Sequence, residues 1–146
     1  MKTLLTGLFV FLCSSIFAQL PSTATFKTLK SYKKINFTEV HQDGKDSITN
    51  KSIPMFVQTV TFDKESPSYQ NALSTINKLT SLKDYQNLTS AKEDDNEIKV
   101  YNYDKKPDSE ILVFSKDADG NVTFVSISAK NLTKEQKEQM RKVSIK

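Results

Sequence analysis

Residues 111–114 read Ile-Leu-Val-Phe, four apolar side chains in succession. Successive side chains of a strand point to opposite faces, so such a run is satisfied only where both faces of a sheet are covered. Its neighbours argue for a strand. Ahead of it, Ile98 and Val100 point one way while Glu97, Lys99, Tyr101 and Tyr103 point the other. Behind it, Thr123, Val125 and Ile127 alternate with Val122, Phe124 and Ser126, placing β-branched and aromatic residues on both sides. Pro107 lies in the polar link 104–109, and Gly120 stands in 117–121, where a hairpin needs a positive φ. Residues 97–128 therefore predict three consecutive strands of an antiparallel meander, with 111–114 at the centre of the core.

The rest of the chain supplies partners for that meander. Residues 35–41 and 55–62 alternate well enough for strands, with Gln42-Asp43-Gly44-Lys45 as a turn and 46–52 as a polar loop. Pro54 fits the first residue of a strand or an edge. Ser66-Pro67 has the composition of a helix start, and Tyr69, Ala72, Leu73, Ile76, Leu79 and Leu82 form one apolar stripe behind it. Residues 86–93 add a further strand. Thr133 and Gln136 have capping-box spacing and open a charged C-terminal helix with few apolar positions, Leu132, Met140 and Val143. Phe26, Leu29 and Tyr32 recur amid lysines as a short helical turn or two, after a flexible lead at 20–24. The expected class is α+β: an antiparallel meander of about four or more strands, one main amphipathic helix on a face, and a short C-terminal helix.

At the front, a lysine, an apolar run at 4–12 and small residues up to Ala18 read as a secretory signal peptide, residues 1–18, leaving 19–146 as a single domain. Cys13 raises the alternative of lipidation, but Leu12 stands where a small residue is normal. Cleavage after Ala18 removes the only cysteine, so disulfide and thiol chemistry are excluded from what remains. A net charge of +4 over 146 residues is too mild to imply nucleic acid, and no later segment is long and apolar enough to span a bilayer. Asp46-Ser47-Ile48 resembles a short O-glycosylation acceptor of exported bacterial proteins. The Asn-x-Ser/Thr triplets at Asn36, Asn50, Asn87, Asn121 and Asn131 are read as compositional.

Chemistry-bearing clusters are sparse. His41 is the only histidine, and no recognised nucleophile motif accompanies it, so a surface histidine near a strand end is expected. Asp117, Asp119 and Asn121 have the opening spacing of a calcium loop, but the glycine comes fourth and Ser128 stands where the closing glutamate belongs. Asp94, Asp95 and Glu97 form an acidic turn, not a cleft pair. No metal or cofactor is expected. Lys99, Tyr101 and Tyr103 share one strand face and form the candidate binding patch, free to stack on a sugar or protein if the main helix covers the opposite face.

The residues Tyr69 to Leu82, Tyr85-Gln86-Asn87-Leu88, Lys92-Glu93-Asp94-Asp95, Ile98-Lys99-Val100-Tyr101, Glu110-Ile111-Leu112-Val113-Phe114 and Phe124-Val125-Ser126-Ile127-Ser128 follow a pattern over about 66–128. That pattern resembles a family of small exported bacterial proteins classed as a domain of unknown function. After the last strand, where such proteins often carry a glycine and an acidic segment, this chain has Ala129-Lys130-Asn131-Leu132. The resemblance implies an α+β fold, a periplasmic, outer-envelope or secreted location, an envelope-stress or regulatory context, and no catalytic residues to carry over. The functional expectation is a non-catalytic exported protein that binds another protein or an envelope component through a sheet face or edge, with self-association open. The alternatives are a carrier of a small apolar ligand between helix and sheet, lined by Ile76, Phe114 and Phe124, and a small hydrolase.

Overall fold

The computed structural model describes residues 20–46 and 49–143. The signal sequence, Cys13 and the Ser47-Ile48 pair of the glycosylation reading lie outside them. In chain order the elements are α1 (Pro21–Ser31), β1 (Asn36–Lys45), β2 (Ser52–Phe62), α2 (Tyr69–Thr80), β3 (Gln86–Glu93), β4 (Asn96–Lys105), β5 (Asp108–Lys116), β6 (Val122–Lys130) and α3 (Lys134–Val143). The strands form one antiparallel sheet in the order β1-β2-β6-β5-β4-β3. The meander therefore runs from β3 to β6, and the β1–β2 hairpin joins it beside β6.

Ile111, Leu112 and Phe114 are all buried, as an apolar β5 requires. Leu112 and Phe114 belong to the larger core, with Phe26, Leu29, Val60, Ile76, Leu79 and Phe124. Ile111 belongs to a smaller core on the other face, with Val100, Ala129, Leu132 and Met140. Helices α1 and α2 cover the first of these, the helical face, and α3 covers part of the second. The register confirms the division, since Val60, Phe124, Phe114 and Lys99 are successive cross-strand partners, and so are Thr59, Val125, Val113 and Val100.

Three local expectations differ from the structure. The lead at 20–24 is not flexible: Pro21 sits in the first turn of α1, where its missing N–H costs nothing, and Ser22, Phe26 and Leu29 are buried on one side of the helix. The Phe26 ring stacks on Phe124 at 5.3 Å. Helix α2 starts at Tyr69, after a turn in which the Ser66 hydroxyl donates to the Lys33 carbonyl at 3.1 Å and accepts from the Ser68 N–H at 3.3 Å. Residues 42–45 are strand, not turn, because β1 stays paired with β2 as far as Lys45 and Ser52. Gly44 has a strand role there: a Cβ at this position would lie 2.7 Å from Met55 Cε. The capping box of α3 forms as expected, with the Thr133 N–H donating to Gln136 Oε1 at 2.9 Å and the Gln136 N–H to Thr133 Oγ1 at 3.2 Å.

Candidate functional site

Strand β4 carries Lys99, Tyr101 and Tyr103 on the helical face, so the trio is not an open stacking platform. Tyr103 is 7% exposed and its ring lies 5.3 Å from that of Tyr85. Tyr101 is half-buried against the core. Lys99 is held by Glu97 at 2.7 Å, a contact that raises the pKa of the ammonium and lowers that of the carboxyl. Between these residues and α2 runs a cleft of about 150 Å³ lined by Leu73, Ile76, Tyr101 and Phe114. Phe124 is not part of it, being covered by Phe26. The cleft is well below the roughly 300–1,000 Å³ of a small-molecule pocket.

One polar cluster was missed from the sequence. Glu110, the third residue of β5, is in the same phase as Leu112 and Phe114, so its carboxyl enters the helical core, where it is 0% exposed. Three hydroxyls meet it. Ser22 Oγ of α1 donates to Oε1 at 2.6 Å, Ser126 Oγ of β6 donates to the same oxygen, and the Tyr85 hydroxyl donates to Oε2 at 2.6 Å. Burial raises the Glu110 pKa, and the three hydrogen bonds offset that only in part. Burial and the adjacent Glu110 carboxyl also push the Tyr85 phenol upward. The cluster ties α1, the segment before β3 and two central strands together. With Glu110 fully buried and three hydroxyls turned onto its carboxyl, the cluster clasps these elements to one another. The signal in the sequence was an acid standing at a core-phase position of an apolar strand.

His41 lies on the helical face beyond the start of α1, exposed, with its ring stacked on Phe56 at 4.6 Å. It borders an open groove of about 840 Å³ shared with Leu20, Thr23, Asp43, Asp108 and Asn131. Asp117 caps the β5–β6 hairpin: its two carboxylate oxygens accept from the Asn121 N–H and the Asn121 side-chain amide, both at 2.8 Å, and these bonds lower its pKa. With Gly120 at φ +86°, the turn accounts for the calcium-like spacing. Asp94 and Asp95 are exposed in the β3–β4 turn.

The remaining surface is the second face of the sheet. Helix α3 covers one end of it, where Leu132 and Met140 pack with Ile111, Ala129 and Val100. The other end is open, and its residues follow from the register. One row across the sheet is Asn36, Thr61, Thr123, Ser115, Ile98 and Ala91, and the next is Thr38, Thr59, Val125, Val113, Val100 and Thr89, in which Val100 is already buried with the α3 cluster. A third begins with Val40, Val57 and Ile127 before passing beneath α3. None of these side chains is charged, in a chain where charged residues make up 26%. Val40, on edge strand β1, is 51% exposed, and Ile98, on β4 at the far side of the band, is 46% exposed. No described helix is long and apolar enough to cross a membrane.

Residues 25–140 match the model of a protein family described as a domain of unknown function (DUF4252). The match reaches well beyond the stretch that carried the resemblance, taking in most of α1, β1, β2 and α3. No curated protein matches the chain.

Proposed function

Because this chain belongs to the DUF4252 family, whose description assigns it no chemistry, we propose a function from the sheet itself: an exported, non-catalytic protein that binds another protein through the open band of its second face. The observation that carries the reading is the absence of charge across two full rows of a six-stranded sheet, with Val40 and Ile98 exposed on it. A solvated sheet face ordinarily alternates polar and charged residues outward, whereas depletion of charge marks the centre of an interface. Export is supported by the apolar run at 4–12 and the small residues before Gln19. Edge pairing is disfavoured on the β3 side of the sheet, where the register shift between Asn87 and Thr89 breaks the edge. The ligand-carrier alternative would have to use a helix–sheet cleft of about 150 Å³.

Two measurements test this. Intact mass of the protein recovered outside the cytoplasm reports cleavage after Ala18, lipid on Cys13 and sugar on Ser47 together, and mass beginning at Gln19 is the expected result. A photo-reactive amino acid placed at Val57 or Val113 in exporting cells should give cross-linked species that the same residue at Lys27, on the exposed side of α1, does not. Equal cross-linking from both faces, or none from the band, contradicts the reading.

A further inference from the structure

We propose that the protein seated on the open band is a second copy of this chain, packed sheet against sheet about a two-fold axis. The inference rests on the reading of that face as a binding surface and names its occupant.

The charge balance of the chain argues for it first. Two copies of the protein from Gln19 onward, which loses Lys2 and keeps 20 basic and 17 acidic residues for a net charge of +3, repel wherever their charged surfaces meet. Helix α1 and the residues after it present Lys27, Lys30, Lys33 and Lys34, all exposed, and cannot face themselves without juxtaposing like charges. The band is a face this chain can turn toward its own image at no electrostatic cost, because every position in its open rows is neutral. An isologous contact needs that self-complementarity.

Shape and area agree. The exposed and half-buried positions are Val, Thr, Ile, Ser, Asn and Ala, short side chains that interdigitate between sheets spaced about 10 Å apart. With strands about 4.8 Å apart and same-face neighbours roughly 6.8 Å apart, two and a half rows of six strands cover roughly 500 Å² per copy. Two copies then bury roughly 1,000 Å², the size at which specific interfaces begin and the weak end of their range. Helix α3 stands at one end of the band only. A two-fold axis lying across the strands carries the partner's α3 to the opposite end, so the two helices flank the contact instead of colliding. Val125 and Val113, adjacent cross-strand partners in the middle row, fall near the axis.

Light scattering and sedimentation equilibrium on the exported protein, across a wide range of concentration, test this. The mass should rise from one chain to two as concentration increases. Val40→Lys changes an exposed position that carries no folding role, and Val125→Lys places a charge opposite its own copy at the axis. Val125→Lys sets two ammonium groups against each other and Val40→Lys brings an unpaired charge into a neutral contact, so both should weaken the dimer by about tenfold or more. Lys27→Ala on α1 should leave it unchanged, and circular dichroism should show each variant folded. A single-chain mass at every concentration, or a dimer indifferent to both lysines, overturns the inference. A monomer whose Val57 photo-cross-linker captures a different protein overturns self-association and leaves the binding face in place. A band that captures nothing and a protein that stays monomeric overturn both.

Discussion

Glu110 sets the residue scale, because its burial and its hydrogen bonds act on stability in opposite directions. Replacing it with leucine strands the hydroxyls of Ser22, Tyr85 and Ser126 in an apolar core. At about 1–3 kcal/mol for each unpaired group, Glu110→Leu should cost several kcal/mol in urea unfolding. Glu110→Gln keeps an oxygen for the serines and should cost much less. The glutamine also exposes the carboxyl's pH dependence. The unfolded carboxyl ionises near about pH 4.3, while the folded one holds its proton to higher pH. Below both values the proton is bound in either state. Between them only the folded state keeps it, so stability falls as pH rises through that window and levels off above the folded value. The stability of the native protein minus that of Glu110→Gln should therefore decline with rising pH from about pH 4. The depressed carboxyls of Glu97, Asp117 and Glu135 act the other way, but they are present in both proteins and cancel in the difference. A difference that is flat in pH would mean the Glu110 pKa is not raised by folding.

Among the elements, α3 is the one most exposed to test, because it alone shelters the second core. Its capping box satisfies two backbone N–H groups through Thr133 and Gln136. Thr133→Ala should cost about 1 kcal/mol and should speed hydrogen exchange in α3 more than in α1 or α2. That capping box was legible from three residues of spacing, and so was the meander, because the alternation of β4 and the doubly apolar run of β5 admit few other structures. The placement of the β1–β2 hairpin beside β6 was not legible. Residues 35–41 and 55–62 alternate in a way that any strand neighbour would satisfy, and the place of 55–62 in the sheet is set by pairing with Val125 and Ile127 far along the chain. Helix α1 was half-read for a similar reason. Phe26, Leu29 and Tyr32 marked its later turns, but Pro21 and Ser22 read as a flexible lead, because Ser22 joins the core only through the Glu110 carboxyl far along the chain. Whether the candidate patch is open turned on one choice that periodicity leaves undecided. Alternation assigned Lys99, Tyr101 and Tyr103 to one face correctly but could not say that α1 and α2 would lie on that face.

At the scale of the whole molecule, the two sides of the sheet are unequal. One is closed by two helices, an aromatic core and the Glu110 clasp, and the other is half closed by α3 and otherwise neutral. That inequality is the central claim, since it directs binding to the side without helices whatever the partner. Hydroxyl-radical footprinting in exporting cells, compared with the same protein purified and dilute, addresses it directly. Val40, Val57, Val113, Val125 and Ile98 should be protected in the cells relative to the dilute protein, while Leu73 and Leu82 on α2 and just beyond it should react alike in both. Protection confined to the α2 side, or equal reactivity of the band in both settings, would contradict it.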